Sequence, residues 1–484
     1  MSHYDTLIIG SGEAGKFLGW SLASEGKRVG CIEEKYLGGS CPNIACLPSK
    51  NFIHSAEVVH EAAKASRDGL FTADASKVNM QAVWQRKQDM VTGLRTLHET
   101  NFKESGLELI EGHGRFVGPK IILVESPTGP DRTFTADNIV ICTGSRSSIP
   151  DTPGMKEAKP LTHVELLDLT IVPPHLVILG GGYIALEFAQ CMRRLGSRVT
   201  ILARASRLLP REDEDIAGYL TDLLVREGIE VLTSVAVTAV EGVSGTSVIL
   251  HYNEANKVNT VSPLMSNGSD ETNKVLEASH ILVATGRVPN TDESLGLAAA
   301  NIATTTKGHI AVDSCLRSTS APGVYAVGDC AGSPHFTHIA FDDYSVVLSQ
   351  LSSSKASSSS APRTTEGRQV PFTLFTSPEL ARVGLTEQEA KEKGLKYRLT
   401  KVPMLAFLRT RTMGQTEGFA KALVDERGKV IGYAALGPSM GETLPVVQLA
   451  MQENIGYEKI RDLIITHPTI NEGLGRLFAA VSEA

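Results

Sequence analysis

Short apolar runs that end at glycine recur along this chain, and they predict parallel strands that enter tight turns. The first run, Leu7 to Ile9, precedes a helical stretch that ends near Gly26 and a second run from Val29 to Ile32. The same order returns later, where the run Leu176 to Leu179 precedes a helical stretch and then the run Val199 to Leu202. Strand, helix and strand in this order are typical of parallel sheets with crossover helices.

The turn after the first strand carries a dinucleotide-binding fingerprint. Gly10, Gly12 and Gly15 form G-x-G-x-x-G. This spacing allows a tight turn, a close approach of the backbone to a pyrophosphate, and packing of the helix on the strand. Glu33 closes the second strand, where an acidic side chain can bind a ribose hydroxyl. The segment therefore predicts a nucleotide site.

The second turn has a related pattern with different charges. Gly180, Gly182 and Ala185 form G-x-G-x-x-A, and no acid closes the strand that follows. Instead, Arg204 and Arg207 stand where a ribose 2′ substituent would fall. Arginine suits a 2′-phosphate, which an acid would repel, so the pattern favours NADPH over NADH. Two nucleotide sites in one chain suggest a flavin and a nicotinamide held face to face.

Three further apolar strands end in turns that could border a bound nucleotide. They are "IVICTGS" at 139–145, "ILVATGRVPN" at 281–290 and "GVYAVGDC" at 323–330. Asp329, at the end of the third, is placed to bind a ribityl or ribose hydroxyl, because ligands of such sheets lie at the carboxyl ends of the strands.

Composition narrows the domain count and the partners. The 484 residues predict two to four domains, and a net charge of -7 gives no basic excess for nucleic acid. No apolar run approaches the ~18 residues of a membrane span, and we expect a cytoplasmic protein, with an organelle left open. The polar stretches 253–274 and 352–368 predict surface loops, and a last domain begins near residue 369.

Two of the seven cysteines stand close together in "GGSCPNIACLPSK", residues 38–50. Cys41 and Cys46 have four residues between them, and no second pair completes a zinc ligand set. A helix N-terminus at this point would lower the pKa of a thiol. Because the ligand set is incomplete, we expect no metal at this pair. The chain has an odd number of cysteines, which is atypical of a secreted disulfide framework, so a disulfide between these two is expected to be a redox disulfide. The remaining cysteines are expected to be buried and inert: Cys31, Cys142, Cys191, Cys315 and Cys330.

The ordered motifs "GGSCPNIACLPSK", "CTGS", "GGGYIALE", "ATGRVPN", "GVYAVGDC" and "HPTINE" resemble those of the pyridine nucleotide-disulfide oxidoreductases. This family includes glutathione reductase, dihydrolipoamide dehydrogenase and mercuric reductase, and the resemblance is nearest to mercuric reductase-like and reactive-chlorine-resistance flavoproteins. It implies an α/β fold with two Rossmann-like dinucleotide-binding domains, for FAD and NADPH, and a C-terminal α+β dimerisation domain. The implied boundaries are 1–150 with 285–350 for FAD, 151–284 for NAD(P)H, 351–368 for a Ser-rich loop, and 369–484 for the dimerisation domain.

The resemblance also implies a homodimer and a role for each matching residue. NADPH would deliver hydride on the flavin face screened by Tyr183. Cys46 would be the charge-transfer thiolate, and Cys41 would attack the external substrate. Lys50 would lie by the flavin and pair with Glu187. Further positions expected at the two nucleotides are Gly39, Ser40, Gly114, Thr143, Gly144, Ser145, Thr337, Ile184 and Gly286.

The segment "HPTINE" offers His467 and Glu472 as an acid and base pair. Thiol exchange needs a base to keep Cys41 as thiolate and an acid to protonate the leaving thiol, and an imidazole does both near neutral pH. Glu472 would orient the imidazole.

The substrate is expected to be a small-molecule disulfide, a soft metal ion or an oxidant. The tail "GRLFAAVSEA" has no cysteine pair for delivering Hg(II), and Pro42 and Ala45 depart from the commoner pattern of the cysteine loop. Alternatives within the family are activities of the dihydrolipoamide dehydrogenase or glutathione reductase type. A redox sensor or binding flavoprotein is the alternative from another class.

Overall fold

The computed structural model describes residues 2–70, 78–254, 274–352 and 361–482. Most of the two predicted polar loops, at 253–274 and 352–368, lies outside these residues. The described helices are α1 (Glu13–Ser24), α2 (Ser40–Asn43), α3 (Cys46–Arg67), α4 (Met80–Glu104), α5 (His163–Leu167), α6 (Tyr183–Arg194), α7 (Glu214–Arg226), α8 (Thr337–Leu351), α9 (Glu387–Glu392), α10 (Leu408–Met413), α11 (Leu444–Gln452), α12 (Tyr457–Arg461) and α13 (Gly473–Ala479).

A first sheet combines six strands from residues 2–141 with one strand from residues 324–326. Its order is β3-β2-β1-β6-β5-β4, and β16 also pairs with β6. Strands β1, β2, β3, β6 and β16 are parallel, whereas β4 and β5 are antiparallel additions. The bounds are β1 (Ser2–Ile9), β2 (Val29–Glu33), β3 (Glu108–Glu111), β4 (His113–Gly118), β5 (Ile121–Glu125), β6 (Arg132–Ile141) and β16 (Val324–Ala326).

A second, fully parallel sheet has the order β10-β9-β8-β14. All five residues of β8 are buried, which is typical of parallel strands covered on both faces. Two smaller antiparallel sheets accompany it along the chain. The strands of β11-β12-β13 lie between β10 and β14, and the strands of the β7-β15 pair precede β8 and follow β14. The bounds are β7 (Ser145–Ser147), β8 (His175–Leu179), β9 (Arg198–Leu202), β10 (Glu230–Leu232), β11 (Val235–Val243), β12 (Ser247–Glu254), β13 (Lys274–Ala278), β14 (His280–Val283) and β15 (Arg287–Pro289).

The C-terminal part forms one antiparallel sheet with the order β17-β18-β21-β20-β19, together with α9 to α13. Two parallel α/β units followed by an antiparallel α+β unit are the predicted fold class. The bounds are β17 (Phe372–Leu374), β18 (Glu379–Gly384), β19 (Tyr397–Pro403), β20 (Phe419–Asp425) and β21 (Val430–Gly437).

One large hydrophobic core joins the second unit to the third. It contains Phe52 of α3, Leu186 of α6, Leu220 of α7, and Leu374 and Leu436 of the last sheet, all essentially buried. The helix that begins at Cys46 is thereby packed against the helix that begins at Tyr183. In the part of the chain described above, no helix combines the length and the apolar composition needed to cross a bilayer.

Candidate active site

Cys41 and Cys46 lie on either side of a break between two helices. Cys41 belongs to the four-residue helix α2, and Cys46 is the first residue of the 22-residue helix α3. Between them Ile44 and Ala45 leave the helical region, with φ of -140° and -130°. The break brings together two sulfurs that one continuous helix would point in different directions, and the two thiols form a hydrogen bond.

The surroundings of the pair place the negative charge on Cys46. The hydrogen bond from Cys41 lowers the pKa of Cys46 to about 6, and Thr337 and Lys50 act in the same direction against burial. The Thr337 Oγ1 lies 3.1 Å from the Cys46 Sγ. The N-terminus of α3 adds a positive partial charge. The same hydrogen bond, together with burial, raises the pKa of Cys41. At neutral pH the reduced site therefore contains one thiolate and one thiol.

The remaining cysteines show no such arrangement. Burial raises the pKa of Cys31, Cys191 and Cys330, as expected for inert thiols. Burial also raises the pKa of the Cys142 thiol, although the residue as a whole is only partly buried. Cys315 is only partly buried, which differs from the sequence prediction. All seven cysteines are unbridged.

Lys50 and Glu187 form an ion pair beside the cysteines. Lys50 lies one helical turn after Cys46, and its Nζ is 2.8 Å from the Glu187 Oε2. The other Glu187 oxygen accepts a hydrogen bond of 3.0 Å from the Phe375 amide, and the Lys50 ammonium lies 4.8 Å from the centre of the Phe375 ring. Glu187 is buried, so its two donors are required to stabilise its charge. Helices α3 and α6 and the last sheet thus meet at one charged contact.

The two glycine turns have the same local geometry. A Cβ at Gly10 would lie 2.4 Å from the Cys142 carbonyl oxygen, and a Cβ at Gly180 would lie 2.3 Å from the Ala284 carbonyl oxygen. Each turn therefore packs directly on the residue that begins a Thr-Gly turn of the neighbouring strand. Both glycines have positive φ, of 98° and 126°. Gly15 packs against Gly10, where a Cβ would lie 2.4 Å from its carbonyl oxygen.

The amide groups at the start of both helices are open to a ligand. Gly12 and Gly182 are the N-cap residues of α1 and α6, and neither helix has a side-chain cap. Uncapped helix N-termini after such turns bind the pyrophosphate of a dinucleotide. The chain thus fits FAD at the first turn and a nicotinamide dinucleotide at the second. Ile184, the second residue of α6, is partly buried against the core.

Glu33 lies beside the first turn and accepts four hydrogen bonds. The Ser11 amide and hydroxyl donate to its Oε2 at 2.9 and 2.6 Å, and the amides of Lys35 and Tyr36 donate to its Oε1. Glu33, which is predicted to bind a ribose hydroxyl, thus also holds the glycine turn in place. Gly39 packs on the same turn, since a Cβ there would lie 2.5 Å from the Gly12 Cα. Ser40 follows at the start of α2, and Gly114 of β4 lies against Ile32.

Beyond the second turn, the predicted arginines differ in their surroundings. Arg204 is exposed. Arg207 is partly buried, and its Nη2 donates to the Pro210 carbonyl oxygen at 3.1 Å. Its Nη1 is buried and has no hydrogen-bond partner among the described residues. An unpartnered guanidinium nitrogen at this place fits an anionic 2′ substituent.

Asp329, Ser145 and Arg287 form a polar cluster where the two parallel units meet. The Ser145 hydroxyl donates to Asp329 and accepts a hydrogen bond of 2.7 Å from the Arg287 Nε. Asn290 closes the adjacent turn through reciprocal hydrogen bonds with Thr143, of 2.8 and 2.9 Å. Arg287 and Asn290 were not predicted as site residues from the sequence, although both stand in the motif "ATGRVPN". Gly144 and Gly286 lie in the same turns and accept amide hydrogen bonds.

His467 and Glu472 lie in the last domain as a hydrogen-bonded pair. The His467 Nδ1 is 3.0 and 2.9 Å from the two Glu472 oxygens. The carboxylate is mostly buried, whereas the imidazole is 67% exposed, so its Nε2 is available at the surface.

Tyr183 begins α6 and donates a hydrogen bond of 2.7 Å to Glu212, a contact that the sequence did not indicate.

Comparisons with known proteins agree with this geometry. The family model for pyridine nucleotide-disulphide oxidoreductases matches residues 4–343, and the model for the dimerisation domain of that family matches residues 370–478. The probable pyridine nucleotide-disulfide oxidoreductase RclA of Escherichia coli (strain K12) is 33% identical over 487 residues, which cover 99% of this chain and 100% of that protein.

Other relatives have related activities. A mercuric reductase of Staphylococcus aureus is 32% identical over 97% of this chain and 81% of its own length. The mitochondrial dihydrolipoyl dehydrogenase of Pisum sativum is 31% identical over 97% of this chain and 90% of its own length. The solved Cu(II) complex of the HOCl-induced flavoprotein disulfide reductase RclA has a TM-score of 0.86 and 32% identity, with full coverage of both chains.

These similarities confirm the predicted family, fold class, enzyme class and cofactors. The chain carries the dimerisation domain of the family as well as the two nucleotide-binding turns. By its fold, its paired glycine turns and its cysteine pair, the chain belongs to the pyridine nucleotide-disulphide oxidoreductases, flavoprotein enzymes that use FAD and NAD(P)H.

Proposed function

We propose that this chain takes two electrons from NADPH and uses Cys41 and Cys46 to reduce a small-molecule disulfide or a soft metal ion. The observation that carries the proposal is the environment of Cys46, which lowers its pKa to about 6 through Cys41, Thr337 and Lys50. When bound, FAD supplies the two-electron chemistry that links the nicotinamide to the cysteine pair. A thiolate at a helix N-terminus is the form of cysteine that such a step requires.

The residues around the two turns are proposed to hold the nucleotides. FAD would bind at the first turn, with Glu33 and Asp329 at its hydroxyl groups. NADPH would bind at the second turn, with Arg204 and Arg207 at the 2′-phosphate. The proposed domain boundaries are 1–150 with 285–350 for FAD, 151–284 for NADPH and 369–484 for dimerisation.

The chain is proposed to act as a homodimer, in which His467 and Glu472 serve Cys41 of the partner subunit. Next to them, Ile464 is completely exposed and Leu463 is 54% exposed, which supports a covered position in a dimer. His467 takes the proton of the Cys41 thiol, the Cys41 thiolate attacks one sulfur of the substrate disulfide, and the imidazolium gives that proton to the leaving thiolate. The Cys46 thiolate then attacks the Cys41 sulfur, closes the internal disulfide and releases the second half of the substrate as a thiolate, which takes its proton from water.

A soft metal ion is the second substrate class. The relatives include a mercuric reductase and a reductase solved as a Cu(II) complex, and thiolates bind both kinds of ion. The structure solved with Cu(II) matches over the full length of both chains, whereas the mercuric reductase is covered over 81% of its length, so we propose Cu(II) ahead of Hg(II). An odd number of cysteines, seven, scattered over a long chain is atypical of a secreted disulfide framework, and we propose the cytoplasm.

The test is a stopped-flow titration of the FAD-loaded protein with NADPH. We expect the long-wavelength absorbance band of a thiolate beside oxidised flavin, and a wild-type protein without this band would contradict the dithiol mechanism. Cys41→Ser should still be reduced by NADPH but should not turn over a disulfide. The substrate follows from NADPH oxidation measured with glutathione disulfide, lipoamide, a neutral aromatic disulfide, Hg(II) and Cu(II). The matched control is Cys315→Ser, a partly buried cysteine outside the pair.

A further inference from the structure

We propose that Glu212 is the positioning residue of Tyr183, and that it latches the tyrosine ring across the place where the nicotinamide must enter. The inference rests on the proposed function, because it assigns the nicotinamide to the second glycine turn. Tyr183 is the first residue of α6 after that turn, and Glu187, the partner of Lys50, follows one helical turn later. Tyr183 therefore lies next to the nucleotide turn, on the same side of α6 as the glutamate that pairs with Lys50.

Two contacts fix the ring in this position. The Tyr183 hydroxyl donates to the Glu212 Oε1 at 2.7 Å. The ring also packs against Phe372 of β17, with ring centroids 5.0 Å apart. Burial raises the pKa of both the Tyr183 phenol and the Glu212 carboxyl. The phenol therefore keeps its proton and remains the donor of this hydrogen bond.

Arg382 connects this contact to the dimerisation domain. The Glu212 side chain is completely buried, and its Oε2 lies 3.0 Å from the Arg382 Nε. The Arg382 guanidinium also lies 4.9 Å from the centre of the Phe372 ring, so both groups that contact Tyr183 are in contact with the same arginine. A hydrogen bond to a buried charged acceptor is stronger than one between neutral groups.

The loop that carries Glu212 is itself fixed. The next residue, Asp213, and Asp215 lie 2.8 and 2.7 Å from the Lys421 Nζ, and Glu387 lies 2.9 Å from it. Lys421 is 3% exposed and is the cation for these three carboxylates, which could otherwise suggest a metal site. Because the loop is anchored, Glu212 cannot follow Tyr183 when the ring moves.

The latch has a consequence for nucleotide binding. If the ring must leave Glu212 before the nicotinamide enters, the dissociation constant is raised by the reciprocal of the open fraction. Removing the hydrogen bond should increase that fraction and tighten binding. This sign distinguishes a latch from a residue that only supports the fold, since damage to the fold weakens binding.

The experiment measures NADP⁺ binding to the oxidised, FAD-loaded protein by isothermal titration calorimetry. For Tyr183→Phe we expect the dissociation constant to fall about threefold to tenfold, the range for loss of one hydrogen bond. Glu212→Gln should change it in the same direction. The double variant should match Tyr183→Phe, because Glu212→Gln only weakens the bond that Tyr183→Phe removes.

The matched control is Tyr219→Phe. The Tyr219 hydroxyl also donates to a glutamate, Glu417, which pairs with Arg226 at 3.1 Å, so the same three groups recur at an exposed contact. The dissociation constant of NADP⁺ for Tyr219→Phe should stay within twofold of the wild-type value. The latch would be wrong if Tyr183→Phe also stayed within twofold, if its binding weakened, or if the effects of the two substitutions added. Such a result with the thiolate band intact would leave the proposed function standing, whereas loss of the wild-type band would remove the proposed function itself.

Discussion

The Thr337 hydroxyl lies 3.1 Å from the Cys46 sulfur, so the first residue of α8 is hydrogen-bonded to the first residue of α3, and the hydroxyl is the donor when the sulfur is a thiolate. This contact, with those of Cys41 and Lys50, lowers the pKa of Cys46 to about 6. The thiolate is thus stabilised by a residue that the sequence assigned only to the flavin. Two helix N-termini meet at one sulfur.

The pH dependence of the thiolate band tests this contact. The band requires deprotonated Cys46, so in two-electron-reduced wild type it should be complete well above pH 6 and should disappear as the pH falls through about 6. Thr337→Val should move the midpoint up by about one pH unit, because one hydrogen bond to the charged form is lost. Thr337→Ser retains the hydroxyl and should keep the wild-type midpoint. Equal midpoints for Val and wild type would show that Thr337 contributes nothing.

The Lys50 and Glu187 pair should control the rate of flavin reduction. In Glu187→Gln the Lys50 ammonium loses a charged partner at 2.8 Å. We expect reduction by NADPH to slow about tenfold to a hundredfold, measured by stopped-flow absorbance. The control is Glu227→Gln, which removes the partner of Arg194 at 2.7 Å on the same helix. An equal slowing in both variants would mean that the effect is structural.

The His467 and Glu472 pair should affect only the disulfide step. In His467→Ala we expect disulfide turnover to fall about a hundredfold or more, while reduction by NADPH stays at the wild-type rate. Glu472→Gln should have a smaller effect, because it removes only the group that orients Nδ1. His54→Ala is the control, since His54 is another exposed histidine near a glutamate, Glu57. A slowed reductive step in His467→Ala would contradict the assignment.

Arg204 and Arg207 should set the preference for NADPH. We expect the double alanine variant to lose about tenfold or more in kcat/KM for NADPH, with NADH nearly unchanged, because only NADPH has the 2′-phosphate. Arg198→Ala is the control at the opposite end of the same strand, where the arginine pairs with Glu230. A parallel loss with both nucleotides would show that the arginines support the loop rather than the phosphate.

Lys421 should be a large contributor to stability. Lys421→Met removes the buried cation that three carboxylates share; among the described residues, Asp213 then has no cation at this site, while Asp215 keeps Lys401 and Glu387 keeps Lys391 at 3.9 Å. We expect the free energy of unfolding to fall by about 3–5 kcal/mol. Lys401→Met removes a half-exposed lysine that contacts one of the same carboxylates, Asp215, and should cost about 1 kcal/mol or less. Urea denaturation followed by tryptophan fluorescence measures both. Similar losses in the two variants would contradict this interpretation.

The sequence by itself determined the features that depend on local spacing. Two nucleotide-binding turns were predicted from the glycine spacing, because such a turn requires glycines at fixed positions after a strand. These are Gly10, Gly12 and Gly15 in the first turn and Gly180 and Gly182 in the second. The redox role of the cysteine pair and the pairing of His467 with Glu472 were predicted from their motifs, "GGSCPNIACLPSK" and "HPTINE", and from the resemblance of these motifs to those of the family. The order of the strands then predicted the α/β fold class.

Only the tertiary structure decided the contacts between distant residues. Cys46 meets Thr337 across 291 positions, and Tyr183 meets Glu212 from another loop of the same unit. Arg382 reaches Glu212 from the last sheet. None of these contacts has a sequence signal, because the spacing between elements does not encode which side chains meet when sheets and helices pack. The charge on Cys46 and the position of Tyr183 both depend on that packing.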